Sequence, residues 1–299
     1  MKKLCLLLLI IISALLLSCS NESVSEQKTP NKSEKTAVLF SSLAEIWLEA
    51  GGEIDITVGE TVERGFAPSG TLLVDGGAGK TINTELLISY KPSLVICSSD
   101  IPAQAKAAEL LSENGINVIS LRVENFEDYL HALDVMTDIT GKKEAYDNAV
   151  NTLGTSVREL LQSEELALAR GCEILFVRAG SSASSTKTKT SEDHFAAAML
   201  AEMGCRNIAD TAPVSELGIE AILSSDPDYI FFSLMGDEVA ARANVESILN
   251  SEAWSSLTAS KNGRIVILPK ELFHFKPCSR WGEAYDYLAK ILIGADNEN

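Results

Sequence analysis

Histidine is scarce in this sequence: His131, His194 and His274 are the only three in 299 residues. That leaves little material for a metal cage or for imidazole catalysis, each of which needs several groups converging on one point. Basic charge is short too. Against 42 Asp and Glu stand 25 Lys and Arg, a formal net charge of −17. Such a balance argues against nucleic acid as a partner, because phosphate binding needs a basic face. The six cysteines include no CxxC pair, which argues against zinc. No G-x-S-x-G nucleophile elbow occurs, so an exported α/β hydrolase, the alternative enzyme reading, lacks its usual signature.

What is present begins with a leader. Lys2 and Lys3 precede an apolar run from Leu4 to Leu17, too short for a comfortable membrane span, so residues 1–18 read as a signal peptide. The run ends in Leu16-Leu17-Ser18-Cys19, which resembles a bacterial lipobox and makes Cys19 the expected lipidated amino terminus. Residues 19–36, rich in Ser, Asn, Glu and Lys, read as a flexible tether. Cys5 leaves with the signal. Cys97 lies in an apolar strand and reads as a core residue, while disulfides among Cys97, Cys172, Cys205 and Cys278 are left open.

From Lys142 to about Leu166 the apolar residues Ala145, Ala149, Leu153, Val157, Leu160 and Leu161 recur at steps of three and four, predicting one long helix. At about 1.5 Å per residue it would be roughly 35–40 Å long. On either side of it stand two segments that align without a gap, Glu85-Leu-Leu-Ile-Ser-Tyr-Lys-Pro-Ser-Leu-Val-Ile-Cys-Ser98 and Glu220-Ala-Ile-Leu-Ser-Ser-Asp-Pro-Asp-Tyr-Ile-Phe-Phe-Ser233. Each reads as a short helix, a Pro-bearing turn and a buried strand. Apolar strands alternate with helices throughout, among them the strand Asn117 to Leu121 and the helices Phe126 to Thr140 and Trp281 to Leu292. The expected fold is α/β, with two Rossmann-like lobes of parallel-rich sheet joined by one long spanning helix and a cleft between them. The lobes would cover 37–141 and 170–299, with the linking helix over 142–169.

Asp75-Gly-Gly-Ala-Gly-Lys-Thr81 looks like a phosphate-binding P-loop, but the motif needs glycine at position 74, which is Val. The loop is expected to form cleft wall instead. In open parallel sheets ligands sit at the carboxyl ends of strands. The loops that follow the predicted strands supply the candidate ligand-binding residues: Ser41, Ser42, Glu60, Lys80, Ser99, Asp100, Arg178, Lys187, Lys189, His194, Phe273, His274 and Lys276. Basic groups gathered at one mouth of an acidic protein would attract an anionic ligand, and Arg178 is the expected charge-assisted contact. Trp281 reads as ligand-lining or core, and Arg280 with Glu283 as a simple helical pair.

A lipobox, a tether, an α/β lobe, a spanning helix and a second α/β lobe together resemble the class III solute-binding lipoproteins of ABC importers. The local matches are Thr84-Glu85-Leu-Leu-Ile-Ser-Tyr-Lys-Pro-Ser-Leu-Val-Ile, Ile219-Glu-Ala-Ile-Leu-Ser-Ser-Asp-Pro-Asp-Tyr-Ile and Phe273-His-Phe-Lys-Pro-Cys-Ser-Arg-Trp-Gly-Glu-Ala-Tyr285. The resemblance implies a monomeric, non-enzymatic protein held outside the cytoplasm by a lipid. It would have no intrinsic cofactor or metal and would capture an iron–siderophore, haem or cobalamin for a permease and its ATPase. It also implies that Glu85 and Glu220 dock the two lobes on permease arginines. A lipoprotein that senses the same ligand without transport is the remaining alternative.

Overall fold

The structure, a computed structural model, describes residues 35–75, 81–211 and 218–294. The signal, Cys19, the tether as far as residue 34 and Lys80 lie outside the described residues, and Thr36, read as the end of the tether, instead opens the first strand. Two sheets carry the chain. The first holds β1 (Thr36–Val38), β2 (Ile56–Thr57), β3 (Leu72–Leu73), β4 (Leu94–Ser98) and β5 (Asn117–Leu121), all parallel, in the order β3-β2-β1-β4-β5. The second holds β6 (Glu173–Ala179), β7 (Lys187–Thr188), β8 (Arg206–Asn207), β9 (Tyr229–Leu234) and β10 (Ile265–Ile267). Its order is β10-β9-β6-β7, with β8 also on β6, and all pairings are parallel except β6 with β7.

The inner strands β4 and β9 are short, buried apolar runs, as expected where both faces of a sheet are covered. Successive side chains point to opposite faces, and the core divides accordingly. Leu94 and Ile96 of β4 and Ile174 and Phe176 of β6 enter one shared central cluster. Their neighbours Val95 and Cys97 pack on the outer face of the first sheet, and Leu175 and Val177 on the outer face of the second. Aromatic rings tie the central cluster together: Trp281 meets Phe126 at 6.2 Å and Phe195 at 5.8 Å, edge to face. Trp281 is therefore core. Because the two sheets share this cluster, a large hinge between them would expose it, and burial favours only small movements.

The paired segments seen in the sequence repeat at the level of the backbone. The helices Thr84–Ser89 and Ile219–Ser225 each run into a left-handed residue before proline, Lys91 (φ 53°) and Asp226 (φ 45°). Each then enters an inner strand, β4 between β1 and β5, and β9 between β10 and β6.

The linking segment differs from its expectation. The chain is α-helical over Glu144–Asn148, widens to a π-helix over Ala149–Gly154 and returns to α over Thr155–Leu161. It then stops, so the rod is roughly 27 Å long at about 1.5 Å per residue, shorter than predicted. Ser163 leaves the helical region (φ −64°, ψ 146°) and its hydroxyl accepts from the Leu166 N–H at 3.3 Å, capping a separate turn, Glu164–Ala167. A serine followed by two glutamates is an N-terminus signal, and here it wins over the apolar spacing that continues through Leu166. The apolar stripe nonetheless packs as read: Ala149, Val157 and Leu166 lie in the central cluster, with Ala145, Leu153, Leu160 and Leu161 against it.

Candidate functional site

In the order β3-β2-β1-β4-β5 the winding reverses between β1 and β4, and in the second sheet it reverses beside β6. Crevices open at such points, beyond the carboxyl ends of the strands. A cavity of about 600 Å³ lies there, walled by Phe40 and Ser42 after β1, Asp100 to Pro102 after β4, Arg178 at the end of β6 and Met235-Gly236 after β9. Gly236 turns the chain out of β9 in the left-handed region (φ 73°), which a side chain would strain. The volume is that of an ordinary small-molecule site. A somewhat larger hollow, about 710 Å³, borders the π-helical turn on the linking helix. Of the polar groups around it, Tyr285 donates to Glu202 and Asp134 pairs with Lys143, and no strand ends there. The cleft is the candidate site.

Seven predicted residues line it: Ser42, Glu60, Asp100, Arg178, His194, His274 and Lys276. Ser41 lies just behind the wall, fully buried, donating to Glu60 and accepting from Arg64 at 2.9 Å. Ser99 is exposed, and its N–H is spent on the Leu121 carbonyl at 3.1 Å. Lys187 and Lys189 do not reach the wall. The segment expected to be a polar loop folds back as β7, pairing Lys187 with Arg178 across the antiparallel ladder and leaving Lys187 exposed. Phe273 is 1% exposed and stacks on Phe195 in the core, while Phe275, two residues on, is the ring on the cavity. The helix Lys270–Phe273 sets that phase, turning Phe273 inward before the chain leaves it.

Two residues that pattern reading did not single out shape the charge of the cleft. Glu124, just before the helix Phe126–Thr140, pairs with Lys276 at 2.5 Å, joining the two halves of the chain across the cavity. Burial, with the Asp100 carboxyl beside it, pushes Glu124 above the usual carboxylate range. Burial opposes ionisation of Asp100 too, but hydrogen bonds from Glu124 and Ser98 outweigh it and hold Asp100 below its ordinary value. Arg64 lies under the wall. It pairs with Glu45 at 3.0 Å and its guanidinium sits 4.1 Å from the centre of the Phe275 ring, fixing that ring against the first half of the chain. Nothing in the spacing around Glu124 or Arg64 marks them, since their partners are far away in sequence.

Burial disfavours the cationic form of both cleft histidines. Burial, reinforced by Arg178, holds His194 well below its ordinary value, and burial lowers His274 as well. The His194 Nδ1 accepts from the Ala196 N–H at 3.2 Å, which leaves its proton on Nε2. The His274 Nδ1 lies 3.0 Å from the Leu234 carbonyl and donates to it, which leaves a lone pair on Nε2. The expected cluster of positive groups is thus reduced. With Lys276 paired and the cationic imidazoles disfavoured, Arg178 is the cation of the wall with no side-chain hydrogen bond or ion pair among the described residues. Burial lowers its pKa, and Glu124 acts in the other direction.

Arg280 and Glu283 form the simple pair expected of them, with two bonds of 2.7 Å. Among the described residues no group of three or more His, Cys, Asp or Glu is placed to hold a metal ion.

The fold has solved counterparts. The periplasmic vitamin B12 binding protein BtuF of Vibrio cholerae superposes with a TM-score of 0.68 at 18% identity, covering 89% of this chain and 98% of that one. A periplasmic heme-binding protein from Pseudomonas aeruginosa gives 0.66 at 18%, covering 88% and 93%. Staphylococcus aureus SirA, solved with staphyloferrin B, gives 0.64 at 16%, covering 88% and 93%. At these identities the likeness is one of fold. Among curated proteins no relative matches the sequence. The sequence profile described as periplasmic binding protein matches residues 28–272, most of the chain and every strand described above, and the chain belongs to that family of extracytoplasmic solute-binding proteins.

Proposed function

We propose that this protein captures a metal chelate, of the iron–siderophore, haem or cobalamin kind, and delivers it to an ABC permease without catalysing any reaction on it. The observation that carries this reading is the cleft itself, at the strand ends of both sheets, with the half-buried Arg178 in its wall forming no ion pair among the described residues. A ligand for it has an apolar face for Phe40, Met235 and Phe275 and at least one anionic group for Arg178. The proton on the His194 Nε2 and the lone pair on the His274 Nε2 add one donor and one acceptor. Glu60, Asp100 and Asp193 on the same wall disfavour a polyanion, so a mixed, amphipathic chelate fits better than a highly charged one.

The test is the visible and mass spectrum of protein purified from its source without refolding. A haem or corrinoid absorption, or the mass of an iron chelate released on denaturation, is the expected result. A metal-free metabolite bound in stoichiometric amount would overturn the chelate reading.

The reading includes a lipid on Cys19. Cys19→Ala should move the protein from the membrane to the soluble exported fraction, because it removes the attachment point of acyl chains that each contribute about 0.8 kcal/mol per buried CH2. Unchanged detergent partitioning would sink this part of the proposal.

A further inference from the structure

Cys172 and Cys205 stand immediately before β6 and β8, which run parallel with Glu173 opposite Arg206. One step back in that register the two cysteines are themselves opposite. Their backbones are locked on both sides, Arg206 N–H to the Cys172 carbonyl at 2.8 Å and Gly171 N–H to the Gly204 carbonyl at 2.7 Å. Neighbouring strands lie about 4.8 Å apart, inside the window of roughly 4.4–6.8 Å that a disulfide needs between Cα atoms. The sulfurs already lie 3.2 Å apart. The other two described cysteines face oxygen atoms instead, Cys97 the Ser120 hydroxyl at 3.2 Å and Cys278 the Ser42 carbonyl at 3.5 Å.

We propose that Cys172 and Cys205 are a redox pair that closes to a disulfide outside the cytoplasm, stapling the start of β6 to β8. Both thiols sit where the backbone need not move, in a protein of a family that works in an oxidising compartment. Cys172 is the half-exposed member and Cys205 is only 6% exposed, which orders the steps. The Cys172 thiolate attacks one sulfur of an external disulfide and expels a thiolate. The Cys205 thiolate then displaces the second, leaving the internal S–S bond. The pair loses two electrons and two protons, and the external disulfide takes them up as two thiols. The hydrogen bond from Cys205 holds Cys172 below the ordinary thiol value, with Arg264 and Arg206 nearby acting in the same direction, which suits Cys172 as the attacking group. The segment closed by the bond carries Arg178 and His194, so the staple bears on the part of the cleft wall that these residues form.

The test uses the full chain exposed to glutathione disulfide, denatured, alkylated without reductant and mapped by mass spectrometry. Cys97 and Cys278 should be alkylated, while Cys172 and Cys205 should appear as one linked peptide pair that separates only on reduction. Cys205→Ser should leave Cys172 carrying glutathione. Reductant should lower the Tm of the oxidised wild type by roughly 5–10 °C and leave a Cys172→Ser/Cys205→Ser double variant unmoved. Alkylation of Cys172 and Cys205 to the same extent as Cys97, or a stable glutathione adduct on wild-type Cys172, would overturn the pairing. A Tm insensitive to reductant in the linked protein would overturn the staple.

Discussion

Reversing both Glu85 and Glu220 to lysine should abolish ligand uptake through the permease while leaving ligand affinity within a few fold. Both residues are exposed, and neither forms a salt bridge among the described residues. Each stands in the first turn of its helix, at the same place in the two paired segments. Helices that follow parallel strands begin at the strands' carboxyl ends, so both carboxylates belong to the face on which the cleft opens, yet neither lines the cavity. A permease covering the mouth would meet them as two matched negative points. Lysines there would set like charges against its arginines, which costs several kcal/mol across an interface. Within the protein the change opposes the helix dipole by only about 0.3–1 kcal/mol at each site. Uptake in cells and titration of the purified double variant separate the two effects. Lost affinity with uptake reduced in proportion would place these residues at the ligand instead.

Arg178→Ala should weaken ligand binding by roughly ten- to a hundredfold without lowering the Tm of the ligand-free protein. The wild-type guanidinium is half-buried with no side-chain partner among the described residues, and burial depresses its pKa. A buried charge left without a partner destabilises the free protein, so its removal should leave Tm unchanged or raise it. In the complex the same group would give an anionic ligand a charge-assisted bond worth about 1.5–3 kcal/mol, where about 1.4 kcal/mol is tenfold in affinity. Calorimetric titration and thermal melting of the same preparation are the measurements. If affinity holds and Tm falls, Arg178 supports the fold and the anionic-ligand proposal loses its basis.

Where local rules act alone, sequence and structure agree to the residue. The helix Phe126–Thr140 starts where the Asn125 side chain accepts from the Asp128 N–H at 2.8 Å and ends where Gly141 turns left-handed at φ 72°. The strand Asn117–Leu121 and the helix Trp281–Leu292 likewise keep their predicted limits. The paired segments were legible because an alignment of helix, proline turn and strand needs no knowledge of what they pack against. By contrast, the hydrogen-bonding groups of β7 find their partners on β6, so Lys187-Thr188 carries no strand signal of its own.

The sequence by itself determined the alternating α/β order, the position of the loops at strand ends and hence most of the segments that line the cleft. Period and capping are short-range properties, written within a few residues of where they act. Only the tertiary structure decided which side chains in those segments face the cavity and what charge they present there. Phe273 turns into the core and Phe275 onto the cavity because a short helix fixes their phase against a core made from distant residues. Lys276 is paired with Glu124 and burial disfavours the cationic form of both cleft histidines, while Arg178 has no ion pair among the described residues. Charge in a cleft depends on distance and desolvation between groups far apart in the chain, and neither quantity exists until the two sheets have packed on their common core.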